Sequence, residues 1–299
     1  MSSAEIAART IKLLQPEDFE VLSAMEKSIP SFESVPLHRI ERLTDLHRDQ
    51  VLFRLGRLNQ FGFVIGNQFG YFLLTAGLDV LALNSFVKQG LVSGMGKSVG
   101  MGKESDVFEV INDSGENSVI KFYRIGRTSF RTTRKSRSYV DPKYQHQWLT
   151  VNIHAALKEA QGLVKAEAAG VSTPHFIARN RHAVLMEEVD GIMLHHCTRE
   201  DIRNPKSLLK QILENVKLSF GKAGLINGDL SEYNILFDGA KPWIIDWPQY
   251  VTTSHRNAFE ILVKDVQNLT SFFRKKFKLE SGDKKAIAFV QGKLKSLKL

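Results

Sequence analysis

The chain has 299 residues, 43% hydrophobic and 24% charged, with 41 basic against 32 acidic side chains and a net charge of +9. Such a length and balance suit a folded protein of two domains. A single cysteine, Cys197, excludes a disulfide scaffold or a cysteine metal cluster, and the most apolar stretch, 71–83, is too short and too interrupted by Asp79 to cross a bilayer.

Residues 1–14 lack a long apolar run after a basic patch, so no secretory leader is expected, and the protein is expected in the cytoplasm. The basic excess admits a polyanionic partner such as RNA.

In chain order, Pro16-Glu17-Asp18 opens a helix with Phe19, Leu22 and Met25 as its apolar stripe. Leu37, Ile40 and Leu43 predict a second helix. Residues 47–58 predict a third, with Val51, Leu52, Leu55 and Leu58 inward and Arg48, Arg54 and Arg57 outward. Residues 61–73 read as two strands about Gly66-Asn67, and 75–87 return to helix. Helices followed by a hairpin predict a winged helix-turn-helix module over 1–92.

A glycine-rich loop from Ser98 follows, then strands at 107–111 and 118–122 around Asn112-Asp113-Ser114-Gly115. The stretch carrying Arg124, Arg127, Arg131, Arg134, Lys135 and Arg137 has no acidic residue and is expected to be a mobile, partner-binding loop. Helix is expected at 151–169 and 205–223, a strand at 184–187, and a lysine-rich helical C-terminus from 259. Cys197 and the pair His195-His196 read as solvated loop residues.

The chemistry concentrates in Asn227-Gly228-Asp229-Leu230-Ser231-Glu232-Tyr233-Asn234. An Asp followed five positions later by an Asn is the spacing of a kinase catalytic loop, in which the Asp takes the proton of the attacking hydroxyl and the Asn holds magnesium. Residues 235–245 predict a β-hairpin that returns the chain, so Asn234 and Asp246 are expected at neighbouring strand ends as oxygen ligands of Mg2+. Gly100-Met101-Gly102-Lys103-Glu104-Ser105 is a phosphate-loop candidate with Ser in its third glycine position. Lys121, a lysine within an apolar strand, is expected to meet the phosphates of ATP and a helix glutamate, Glu159 or its rival Glu167. Backbone groups of Glu187 and Val189 are expected to meet adenine. Trp247-Pro248 follows Asp246, no Ala-Pro-Glu motif is present, and 53 residues remain. That remainder is too short for a full peptide-binding lobe.

Gly102-Lys103-Glu104-Ser105-Asp106-Val107, Ile125-Gly126-Arg127-Thr128-Ser129-Phe130 and Ile245-Asp246-Trp247-Pro248-Gln249 strongly resemble the RIO atypical protein kinases. Glu17-Asp18-Phe19, Asn180-Arg181-His182-Ala183-Val184 and Thr253-Ser254-His255-Arg256-Asn257-Ala258 resemble its second subfamily. The resemblance implies an α+β fold, a winged helix over 1–92 and a two-lobed kinase domain over 93–299. It also implies an ATP- and Mg2+-dependent serine/threonine kinase and ATPase acting in maturation of the small ribosomal subunit and its rRNA, with a phospho-aspartate at Asp246. Gly102, Lys103, Glu104, Ser105 and Lys121 then face phosphates, with Glu159 as Lys121's partner. Glu187 and Val189 form the hinge, Asp229 is catalytic, and Asn234 with Asp246 holds magnesium. Two positions depart from the family pattern: Asn227 stands where it has His, and Trp247 where it has Phe. The rival readings are an aminoglycoside- or choline-kinase-type enzyme and a non-enzymatic nucleic-acid-binding regulator.

Overall fold

The structure, a computed structural model, describes residues 1–126, 142–279 and 282–297, with side chains from residue 147 onward in the second segment. It divides into two compact units, Met1–Ala156 with Ala178–Leu185, and Leu157–Ile177 with Met186–Leu299.

The first unit begins with helices α1 (Ser3–Thr10), α2 (Pro16–Ser28), α3 (Leu37–Leu43) and α4 (Arg48–Gln60). The hairpin β1 (Val64–Asn67) and β2 (Gly70–Leu73) follows, then helix α5 (Thr75–Lys88). α2 starts at Pro16, whose missing N–H costs nothing in a first turn, and Asp18 accepts the Gln15 N–H at 2.9 Å. Val21, Leu22, Met25, Ile40, Val51, Leu55 and Leu58 pack into one core, and the hairpin forms the expected wing. α1 was not foreseen, although Ser2 and Glu5 form a capping box at its start. Leu52 is 39% exposed rather than inward.

Arg54 and Arg57 of α4 are also not free to reach outward, whereas Arg48 is exposed as expected. Arg54 meets Glu17 and Asp18 at 3.4 and 3.5 Å, Arg57 meets Asp18 at 3.4 Å, and Arg48 meets Glu41 at 3.1 Å. Asp18 is fully buried, so it holds its two arginines against the helix pair rather than leaving them to solvent.

Strands β3 (Gly94–Met101), β4 (Ser105–Ile111) and β5 (Asn117–Tyr123) join β6 (Phe176–Asn180) and β7 (Ala183–Glu187) in a sheet ordered β3-β4-β5-β7-β6. β3 runs as strand through Met101, where sequence suggested open loop from Ser98. β6 was missed because Arg179, Asn180 and Arg181 break its apolar alternation. Ala82, Leu83 and Phe86 of α5 share a core with Phe108, Ile120, Phe122 and Leu185 of the sheet. Buried Asp79 of α5 adds a polar tie. Arg124 donates to both of its carboxylate oxygens at 2.8 and 2.9 Å and to Asp106 at 3.1 Å, and His182 meets it at 2.8 Å. Arg124 is thus 2% exposed and belongs to this network rather than to a solvent-facing basic loop. The other five basic residues of that stretch, Arg127 to Arg137, lie outside the described residues.

Helix α6 (Pro142–Ala168) passes from the first unit into the second. There follow β8 (Ile192–Met193), α7 (Pro205–Leu218), β9 (Leu225–Ile226), β10 (Ile235–Phe237), β11 (Pro242–Ile244), β12 (Val251–Thr252), α8 (Ala258–Phe277) and α9 (Asp283–Val290). Two small antiparallel sheets, β11-β10-β8 and β12-β9, carry the loops of the site. Gly162 of α6 is a packing requirement. A Cβ there would stand 2.6 Å from that of Trp247, so only glycine lets the helix approach this fully buried ring. Among the described residues no helix is long and apolar enough to cross a membrane.

Candidate active site

The β10–β11 hairpin pairs Ile235 with Ile244, which sets Asn234 and Ile245 side by side; Ile245 donates its N–H to the Asn234 carbonyl at 3.0 Å. Asp246 follows directly. The expected convergence of strand ends is therefore met by an antiparallel register, which fixes which residues face one another.

Three side chains shape the loop from 227 to 234. Asn234 donates from Nδ2 to the Asp229 carbonyl at 2.7 Å, which pins its amide and fixes where Oδ1 points. Asn227 uses both ends of its amide. Nδ2 donates to the Asp246 carbonyl at 2.6 Å, and Oδ1 accepts the Asp229 N–H at 3.2 Å. Asp265 of α8 accepts the N–H groups of Gly228 and Leu230 at 2.8 and 3.2 Å. The backbone carrying Asp229 is thus held from the hairpin side by one side chain and from the helix side by another.

Gly228 occupies a φ of +84°, and a Cβ there would lie 2.7 Å from the Gln249 carbonyl oxygen. Both the conformation and the space demand glycine.

Charge is concentrated here. Partial desolvation of this otherwise exposed residue, then the Asp246 carboxylate, pushes Asp229 above the usual aspartate range, against the hydrogen bond from Asn234 that lowers it. Burial pushes Asp265 up to about 6 despite its two backbone donors, with Asp229 adding repulsion. Two mutually repelling carboxylates beside an oriented amide oxygen make a hard, anionic donor set. Among the described residues no cluster of three His, Cys, Asp or Glu side chains forms a metal cage. As oxygen donors these groups fit a cation such as Mg2+, which takes one or two carboxylates and completes its shell with water and phosphate oxygens.

Glu159 is fully buried and accepts the Trp247 N–H at 2.8 Å, while the Trp247 ring donates to Thr173 at 2.9 Å. Its rival Glu167 is exposed and meets His175 at 2.9 Å. Glu187 ends β7 and exchanges two hydrogen bonds with His175, its N–H to the carbonyl at 2.9 Å and its carboxylate from the N–H at 3.0 Å; half-buried Val189 follows.

In the first unit, Gly102 closes a tight turn by donating to the Ser105 carbonyl at 2.8 Å, leaving Lys103 and Glu104 exposed between β3 and β4. Ser105 pairs with Tyr123 and Val107 with Lys121, so Lys121 and Tyr123 share one face of β5, and the Lys121 Nζ lies 5.1 Å from the Tyr123 ring centre. Lys121 is 7% exposed, as expected of a lysine inside an apolar strand.

Two residues were missed by sequence reasoning. Asp265 has a signal, an acid on the inward face of Leu262-Val263-Lys264-Asp265-Val266, which is costly unless it has a task. Asn227 was noted only as a departure, and nothing local betrays that it bridges two loops. Cys197, expected in solvent, is fully buried.

Comparison with known proteins agrees with this geometry. A family model described as the RIO domain matches residues 106–286, and one described as the Rio2 N-terminal region matches 11–89. The chain is 38% identical to the RIO-type serine/threonine-protein kinase Rio2 of Methanocaldococcus jannaschii, covering 85% of this chain and 94% of that one. It is 33% identical to the serine/threonine-protein kinase rio2 of Dictyostelium discoideum, covering 90% of this chain and 52% of that one. The crystal structure of the Rio2 kinase–ADP/Mg2+–phosphoaspartate complex from Chaetomium thermophilum matches with a TM-score of 0.78 at 31% identity, covering 94% of this chain and 88% of that one. With one matched segment over 11–89 and a second over 106–286 that contains the catalytic loop, this chain belongs to the RIO kinase family, in its Rio2 branch.

Proposed function

We propose that this protein is an ATP- and Mg2+-dependent serine/threonine kinase and ATPase of the cytoplasm that acts on the maturing small ribosomal subunit and its rRNA, with Asp246 as its own phosphoryl acceptor. The observation that carries the reading is the convergence of Asp229, Asn234 and Asp246 on one pair of loops bound together by Asn227. In this reading the chain has a winged helix over 1–92 and a kinase domain over 93–299.

Bound Mg2+ would neutralise phosphate charge, with Asn234 and Asp246 as its protein ligands. Gly102, Lys103, Glu104, Ser105 and Lys121 are assigned to the phosphates, Glu159 to positioning, and the backbone of Glu187 and Val189 to adenine. Asp229 orients the attacking hydroxyl or water and takes its proton, and its exposure leaves room for an acceptor. Attack by an Asp246 carboxylate oxygen on the γ-phosphorus would form one P–O bond, break the bond to the β-phosphate oxygen and release ADP. Catalysis rests on positioning and on charge stabilisation.

The relatives named Rio2 kinases and the neighbour described with a phosphoaspartate support this reading. The test is incubation with γ-labelled ATP and Mg2+, then hydroxylamine. Label released by hydroxylamine and lost in Asp246→Asn is expected. Label that survives hydroxylamine and resides only on Ser or Thr would overturn the acyl-phosphate, and rapid, saturable phosphorylation of choline or an aminoglycoside would overturn the ribosomal assignment.

A further inference from the structure

Beside the catalytic loop, the second unit carries an unassigned feature. A cavity of about 500 Å³ opens between that loop and α8, lined among others by Glu232, Asn268, Ser271, Phe272, Lys275 and Lys276. Its rim holds a row of rings. His196 and His195 have centroids 3.6 Å apart, and His195 and Tyr233 4.6 Å. Tyr233 is 60% exposed and His196 is exposed. The row and the cavity are joined physically, because Lys276 donates from Nζ to the His195 carbonyl at 2.5 Å and His195 donates its N–H to the Glu232 carbonyl at 3.1 Å.

We propose that this surface is a site for single-stranded RNA, with Tyr233, His195 and His196 stacking an unpaired base and Lys275 and Lys276 holding the adjacent phosphate. The chemistry divides accordingly. The exposed rings at the two ends of the row, Tyr233 and His196, offer π-faces that any unstacked base can use, with half-buried His195 packed between them, and the lysines of the cavity offer point charges to the backbone. Burial, then the His196 and Lys276 charges, pushes His195 below the usual imidazole range, so its ring is neutral at pH 7. Glu232 repels phosphate but accepts well from a sugar 2′-hydroxyl, which separates RNA from DNA. An acidic peptide would use the lysines and leave the ring row idle, whereas a nucleotide engages both. The proposal deepens the reading of an RNA-bearing partner and rests on it, but not on phosphotransfer.

The test is fluorescence anisotropy of a labelled oligouridylate on the full chain without ATP, over a salt series, against His196→Ala and Lys275→Glu. Both side chains are exposed, and melting temperature confirms that the variants fold. Each variant is expected to bind about tenfold more weakly, Lys275→Glu with its log–log salt slope reduced by about one or more, and the matching DNA strand more weakly than RNA. A 4-thiouridine strand is expected to crosslink to the peptides holding Tyr233 or His195-His196. Parent-like binding by both variants overturns the proposal. So do crosslinks confined to 127–141 or to α4, and so does an acidic peptide that loses affinity in both variants while RNA does not. Because no ATP is present, failure here leaves the hydroxylamine result untouched, and the reverse also holds.

Discussion

Replacing Asp265 by Asn tests whether the catalytic loop is held by charge. In the native fold this carboxylate is 1% exposed and accepts the Gly228 and Leu230 N–H groups, and its pKa rises from 3.8 to about 6. A rise of about two pH units is worth roughly 3 kcal/mol. Because the folded value lies above the unfolded one, that stability is fully present below 3.8 and is lost as pH climbs through about 6. Near neutrality the protein therefore bears the cost of an ionised, buried group, and keeps the two acceptors that fix the loop.

Asn keeps one acceptor and turns a donor toward the other N–H, an exchange costing about 1–3 kcal/mol, while relieving the charge cost of about 3 kcal/mol. Asp265→Asn is thus expected to melt, at pH 7, at or above the parent temperature, and to fall relative to the parent as pH drops from about 6 to about 4. Its kcat is expected to fall at least about tenfold, with the KM for ATP little changed, because only the placement of Asp229 is disturbed. The parent kcat is expected to rise through pH 6 as Asp265 ionises, and the variant to lack that inflection. Differential scanning fluorimetry across pH and steady-state ATPase assays provide both curves. A variant with parental kcat and an unchanged inflection would refute the reasoning.

Asn227→Ala removes the bridge to the Asp246 carbonyl and the acceptor of the Asp229 N–H. It is expected to lower kcat by about 10–100-fold while costing about 1–3 kcal/mol in urea unfolding, and a variant with full activity would show the bridge to be idle. Arg124→Met removes the guanidinium that the buried Asp79 and Asp106 carboxylates share and is expected to destabilise the first unit by about 3–5 kcal/mol, read as a lower urea midpoint. Gly228→Ala meets both a disallowed φ and the Gln249 carbonyl, and is expected to cost at least about 2 kcal/mol and to abolish most ATP turnover. Near-parental turnover and stability would contradict the close approach.

The resemblance to RIO kinases was legible because Gly102 to Val107, Ile125 to Phe130 and Ile245 to Gln249 are contiguous motifs, and the kinase chemistry of Asp229 to Asn234 is written in spacing. The hairpin that unites Asn234 with Asp246 was legible too, since a strand–turn–strand pattern dictates which ends meet. The winged helix followed from element order, but not the neutralisation of its arginines. That depends on Asp18, more than thirty positions away, becoming buried against α4.

Sequence by itself thus determined most of the elements, the family and the residue types of the phosphotransfer loop, because these depend on periodicity and short-range order. Tertiary structure alone decided that Asn227 and Asp265 grip that loop, that Arg124 is an interior ion rather than a surface one, and that a ring row stands beside Lys275 and Lys276. Each of those outcomes joins side chains remote in sequence, and desolvation at such a meeting point, which no local pattern encodes, sets what a charge does there.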